Sequence, residues 1–317
     1  MDELRLPIDV PGRYAGRVVM LTGVGRSGTS ILGKLVGSMS PTFYLFEPAI
    51  MKLLPALSVL DRRSERTYGS LLRAVLFEDY ILQMVHGRSL NFNSLDDSCV
   101  DNYMSREDIE FRWKTLHRRS DAVDYFEKSS AKIIIKTPEF MPLLERLNAI
   151  FDGVKVINIT RNGNDVVSSS VSRGWYTDGY MVGKIVDWTI GRSGSGCNAP
   201  WYLDDVGEDE FIRWNSETRA AAVWRNLTER AMATIAERRH DVMDIRYEGL
   251  VTDPTGTIDR IAGFIGATPT RLTRQHIEAV EGFEARRYPA VIDKIQEPER
   301  DRYRELMCKL GYSDSLG

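Results

Sequence analysis

The chain predicts an α/β protein, a P-loop-like three-layer fold with a central, mainly parallel sheet flanked by helices. Three observations predict it. Short apolar, β-branched runs recur along the chain and each is followed by a helical pattern. The first run ends in a glycine-rich turn that leads straight into a helix. Strands and helices then alternate, and parallel strands need such helical crossovers.

The first strand is Val18-Val19-Met20-Leu21-Thr22, closed by Gly23, and Ser30–Val36 reads as the helix after it. Residues 50–87 and 104–128 read as largely helical, with apolar positions three and four apart, as in Leu71, Leu72, Val75 and Leu76. Lys132-Ile133-Ile134-Ile135 is the second strand, stopped by Thr137-Pro138. A helix over 140–150 leads to the third strand, Val154–Thr160, and another helix covers 163–173. Residues 176–215 carry Gly, Ser, Asp and three tryptophans (Trp188, Trp201, Trp214) with no steady period, which predicts a loop or lid insertion. Residues 216–239 are helical and Val242–Tyr247 is the fourth strand. Asp253-Pro254 has the N-cap and first-turn residues of a helix start, and a last helix over 298–310 stops at Gly311. No linker divides the 317 residues. The expectation is one domain, 1–317, with a helical insertion at about 50–128 and the lid insertion at about 176–215.

Composition narrows the function. Lys and Arg number 42 against 45 Asp and Glu, a formal net charge of −3, which disfavours a nucleic-acid partner but permits a local basic pocket. Cys99, Cys197 and Cys308 stand far apart, as do His86, His117, His240 and His276, so no metal site is expected. No run of about 18 uncharged apolar residues exists, so no membrane span is expected. The acidic opening Met1-Asp2-Glu3-Leu4-Arg5 has no apolar stretch after it, so the protein is expected in the cytoplasm. Oligomeric state is not readable.

Residues 23–30 read Gly-Val-Gly-Arg-Ser-Gly-Thr-Ser. The spacing is that of a phosphate loop. Glycines let backbone N–H groups converge on an anion, and the positive end of the next helix points to the same place. Gly25, Arg26, Ser27, Gly28, Thr29 and Ser30 are the candidate anion-binding residues. The lysine that an NTPase places before the Ser/Thr pair is replaced by Thr29, and Lys34 lies a helical turn too far on to stand in. Gly191-Arg192-Ser193-Gly194-Ser195-Gly196 has similar letters but no helix after it, and reads as flexible loop. A second anion site is expected after the third strand. Arg161 stands at its carboxyl end, where open α/β sheets bind ligands, and Ser169 follows two helical turns on. The alternative for such an arginine is a salt-bridge partner.

The GxxRSGTS loop, the strand–Arg161-x7-Ser169 segment and Arg246-Tyr247-Glu248-x-Leu250-x-x-Asp253-Pro254 together resemble the sulfotransferases that use 3′-phosphoadenosine-5′-phosphosulfate (PAPS). The stretch from Arg26 to Pro48, with Phe43-Tyr44-Leu45-Phe46-Glu47-Pro48, is most similar to their carbohydrate branch. The resemblance covers about 17–60, 130–175 and 216–266. It implies a three-layer α/β fold, PAPS as donor with PAP as product, no required metal, and a small-molecule or glycan acceptor. It implies that the loop holds the 5′-phosphosulfate, that Arg161 and Ser169 hold the 3′-phosphate, and that Tyr247 packs near the adenosine. Gly249 replaces the aspartate usual in that last motif. Arg286-Arg287 is a candidate for the family's basic C-terminal segment. Arg26 and Lys136 are implied to stabilise the transferring group and Glu47 to act as general base, with Glu139 as the alternative. The run Phe43–Phe46 offers Glu47 an apolar setting that would favour its protonated form. Two other readings are a P-loop nucleoside or sugar kinase and a non-catalytic nucleotide-binding protein of the same fold.

Overall fold

In a computed structural model, the structure describes residues 14, 16–53, 65–151, 153–183, 197, 199–237, 241–282 and 288–315. Five strands form one sheet: β1 (Val18–Gly23), β2 (Thr42–Phe46), β3 (Lys132–Lys136), β4 (Lys155–Thr160) and β5 (Asp241–Arg246). Their order is β2-β3-β1-β4-β5 and every pairing is parallel. Helices cover both faces, which gives the three-layer α/β arrangement. β2 is the strand that the sequence reading missed. It is an edge strand of five residues, and its run Phe43–Phe46 is apolar throughout, so no polar alternation marks it.

The alternation of side chains along the strands fills two cores. Val18, Met20, Phe43, Leu45, Ile133 and Ile135 face one side. There they meet the helical block between β2 and β3, including helices Glu65–Val75, Arg106–Thr115 and Arg119–Ser129. Val19, Leu21, Tyr44, Ile134, Ile157 and Ile159 face the other side, against α1 (Thr29–Gly37) and the Pro254–Ile265 helix. α1 crosses so close to β2 that a Cβ on Gly33 would lie 2.2 Å from the Tyr44 hydroxyl. Asp253 caps the later helix, accepting from the Gly256 N–H at 2.9 Å.

A third core surrounds α2 (Gly163–Val171) and α3 (Ser216–Glu237), centred on Trp224 and Tyr303. Much of the segment expected to be a lid belongs to this core: Tyr202, Leu203, Phe211 and Trp214 are buried in it. The segment also contains two short helices, Asp178–Gly183 and Glu208–Arg213. Trp188 and the loop at 191–196 lie outside the described residues. Tyr247, read as a strand end, instead opens the Tyr247–Thr252 helix.

The third core is locked by a buried ion cluster. Arg225 donates to both carboxylate oxygens of Glu299, at 2.7 and 3.1 Å, and reaches Asp205 and Glu229. Glu299 is fully buried, so removing it strands a charge without its main partner. Glu299→Leu is expected to lower unfolding free energy by about 3 kcal/mol in urea denaturation.

Candidate active site

The carboxyl ends of β1, β2, β3 and β4 meet at the point where chain order reverses across the sheet, the usual ligand crevice of such folds. The backbone is unusual there. Five non-glycine residues among those described have positive φ, and three stand at these strand ends: Arg26 (φ 71), Glu47 (φ 46) and Glu139 (φ 59). Left-handed backbone at non-glycine residues is uncommon, and such residues cluster at functional sites. Each turn is tied to its neighbour strand. The Glu47 N–H donates to the Lys136 carbonyl and the Glu139 N–H to the Gly23 carbonyl, both at 2.8 Å.

The loop after β1 is shaped by two glycines. Gly28 has φ 98, and a Cβ there would lie 2.5 Å from the Tyr247 ring. A Cβ on Gly25 would lie 3.0 Å from Trp175 and 3.1 Å from the Glu139 carboxylate. Gly28 is also the N-cap of α1, whose first turn has no acidic residue, so the helix presents its positive end unopposed. Ser27 is fully buried and its hydroxyl has no hydrogen-bond partner among the described residues. Thr29 and Ser30 form the first turn of α1.

A cleft of about 350 Å³ opens over this loop. Arg26, Lys34, Arg161 and Arg173 line it, with Asp97 as the one carboxylate among its described walls. Arg26 donates to the Ser169 hydroxyl at 3.1 Å and lies 5.8 Å from the centre of the Trp175 ring. Arg161 donates to the Arg26 carbonyl at 3.3 Å, pairs with Asp165 at 3.2 Å and stacks 4.1 Å over Tyr247. The Arg161 carbonyl in turn accepts from the Trp224 indole at 3.2 Å. Burial, and then the charge of Arg173, push the Arg26 guanidinium below its ordinary value. Burial raises the Tyr247 phenol.

The two anion sites expected from sequence are therefore one continuous cleft. Arg26, Arg161, Ser169 and Tyr247 come together in it, with Gly25 in the loop beneath. Glu47 and Lys136 form a separate group beside it. Lys136 is 1% exposed, pairs with the Glu47 carboxylate, lies 3.5 Å from the Ser30 hydroxyl and sits 4.1 Å over the Phe46 ring. Burial pushes the Lys136 ammonium down, and Glu47 pulls it back up. No hydrogen bond or ion pair among the described residues joins this group to Arg26. Glu47 also lacks the apolar enclosure expected of it. Its side chain is 44% exposed, because Phe43 and Leu45 turn into one core and Tyr44 into the other. Glu139 accepts from the Tyr202 hydroxyl at 3.3 Å.

Several cleft residues escaped the sequence reading. Lys34 does line the cleft, held by Asp97 at 2.9 Å. Burial would raise the Asp97 carboxyl, but hydrogen bonds from Lys34 and Ser30 and the nearby cations outweigh it and hold the carboxyl low. Asp97 arrives from the helical block, so only its place in the Asn/Asp/Ser-rich run 91–98 hinted at a structured turn. Arg173, Trp175 and Tyr288 had no motif to mark them. Arg286-Arg287 lies outside the described residues.

A family profile described as "Sulfotransferase family" matches residues 19–270, well over half of the chain. The chain belongs to the sulfotransferase family. No curated protein matches it. Among solved structures it is similar to the sulfotransferase domain of the Synechococcus PCC 7002 olefin synthase. The identity is 12%, coverage is 91% of this chain and 94% of that one, and the TM-score is 0.45. It is also similar to a sulfotransferase domain from the curacin biosynthetic pathway (14% identity, 93% and 97% coverage, TM-score 0.49). A third is sulfotransferase STF1 of Mycobacterium tuberculosis H37Rv (16% identity, 93% and 78% coverage, TM-score 0.43). No helix among the described residues is long and apolar enough to cross a membrane.

The loop geometry makes one prediction. Gly28→Ala forces a side chain into left-handed backbone and against Tyr247, and is expected to cost roughly 1–3 kcal/mol of stability. Gly249→Ala, whose nearest neighbour is 4.0 Å away, is the control and should melt like the parent in a thermal denaturation series.

Proposed function

We propose that the protein transfers a sulfuryl group from PAPS to an acceptor hydroxyl, with Glu47 as general base. The observation that carries this reading is the convergence of Arg26, Arg161 and Arg173 on one cleft over a helix-capped glycine loop. Like charges held together at partly buried positions need an anion. Two glycines let the loop pack tightly beneath Tyr247 and Trp175, and the buried Ser27 hydroxyl is a donor with no partner among the described residues. PAPS supplies a sulfuryl group already bonded to a good leaving group. The loop from Gly25 to Ser30 would hold the 5′ end of the nucleotide. Arg161, Ser169 and Arg26 would hold the 3′-phosphate, and Tyr247 would face the adenosine. Arg26 joins this binding group because its guanidinium bonds Ser169.

Lys136 then becomes the group at the reacting end. It is fixed between Glu47 and Ser30 and carries a charge that can offset the negative charge of the departing phosphate oxygen. Glu47 has one carboxylate oxygen on Lys136, and its other oxygen makes no hydrogen bond among the described residues. That oxygen can take the acceptor's proton as the acceptor oxygen bonds to sulfur and the sulfur–phosphate oxygen bond breaks.

The acceptor side is a cavity of about 640 Å³ along the outer edge of β2. Leu45, Phe46, Ile50, Leu53, Met84 and Leu90 give it apolar walls. Asp79 is the one charged residue among its described walls. It meets the nucleotide cleft at one turn, where Asp97 lines the cleft and Ser98 lines the cavity. This supports a hydroxyl on a molecule with an apolar body, a glycolipid or lipid-like alcohol sooner than a free or acidic glycan. Within Phe43–Pro48, whose likeness is to the carbohydrate branch, Phe43, Tyr44 and Leu45 are buried in the cores. We place the reaction in the cytoplasm, consistent with the free thiols of Cys99 and Cys308.

Labelled-sulfate transfer from PAPS to a panel of aliphatic alcohols, phenols and sugars tests the reading directly. Turnover on apolar alcohols that survives a magnesium chelator is expected; no transfer to any of them would refute it. Glu47→Gln should keep PAP affinity and lower turnover by about 10²–10⁴-fold, whereas Glu139→Gln should not. Arg161→Ala should weaken PAP binding by roughly 10–100-fold in calorimetry. Turnover should fall at alkaline pH below the ordinary lysine range. Burial makes Lys136 lose its proton early, and Lys136→Arg should move that limb upward.

A further inference from the structure

A second cavity, of about 320 Å³, lies at the opposite, amino end of β2 and β3. Thr42, which begins β2, and Ala131, which precedes β3, are in its walls. It shares no wall residue with the nucleotide cleft. Arg112, on the Arg106–Thr115 helix, also lines it. Arg112 is 7% exposed, and its Nε and Nη1 are buried with no acceptor among the described residues. No carboxylate among the described residues pairs with it. Two aromatic rings stack against it, Phe43 at 5.6 Å and Tyr125 at 5.4 Å. Stacking satisfies the faces of a guanidinium but leaves its N–H edges unmet, and a buried cation without an anion is costly.

We infer that this cavity is a binding site for a small organic carboxylate, anchored by Arg112. The charge balance of the walls selects a monoanion, since among the described wall residues Arg112 and Arg271 stand against a single carboxylate, Asp108. The half-buried Tyr103 and Tyr125 are the aromatic wall residues open to an apolar or aromatic body. Ser40, Ser105 and Ser129 add hydroxyls around them. The guanidinium matches a carboxylate in shape as well as in charge. The volume is in the range of small-molecule sites. Asp108 is exposed on the same helix, one turn before Arg112, and its carboxylate opposes an incoming anion.

Benzoate is the probe, titrated calorimetrically into the full chain at low salt. Saturable binding is expected, at least tenfold weaker in Arg112→Met and several-fold tighter in Asp108→Lys. PAP should not displace it. Three results would overturn the inference: no saturable binding, equal affinity in Arg112→Met, or displacement by PAP, which would move the probe to the nucleotide cleft. Should Arg112→Met fail to fold, Asp108→Lys decides alone. An affinity unmoved by that exposed charge reversal means the anion is not in this cavity.

Discussion

The structure turns on a buried lysine. Lys136 ends β3 inside the protein, where an ammonium is unstable unless charge and hydrogen bonds compensate it. Glu47 supplies the charge, Ser30 stands within reach and the Phe46 ring lies beneath. Those three residues belong to the turn after β2, to α1 and to β2 itself. Satisfying one cation therefore fixes the ends of two strands and the start of the helix that follows the loop. It also holds Glu47 in left-handed backbone with one carboxylate oxygen pointing away from the pair.

The neighbouring cleft is built on the opposite balance. Its guanidinium groups are compensated only in part, by Asp165 on Arg161 and by the Asp97–Lys34 pair. Arg26 stays close to Arg161 and Arg173 through hydrogen bonds to Ser169 and through its own carbonyl. Stored repulsion of this kind favours a polyanion spread along the cleft over a single phosphate at the loop. One side of the crevice thus neutralises a buried charge, and the other keeps several guanidinium groups close together.

The sequence carried most of the framework because the framework is local. Val18–Thr22, Lys132–Ile135 and Val154–Thr160 are short apolar runs, and such runs identify buried parallel strands without help from the rest of the chain. The glycine loop was equally legible, since strand, turn and helix are contiguous. Thr42–Phe46 was not, because this edge strand has no Val or Ile, the β-branched apolar residues that every other strand of the sheet carries. The long-range contacts were also hidden. Nothing in the sequence tells that Asp97 crosses from the helical block to Lys34, or that Arg26 turns to Ser169. The solvent-facing setting of Glu47 could not be read from its aromatic neighbours, since strand alternation sends Phe43 and Leu45 to one face and Tyr44 to the other.

Donor identity is the claim on which the chemistry stands, and competition calorimetry addresses it without an acceptor. PAP should bind saturably and at least 100-fold more tightly than magnesium–ATP, because the cleft has arginines for a 3′-phosphate and no phosphate-loop lysine for a triphosphate. Tighter binding of magnesium–ATP, or none of PAP, would contradict the account.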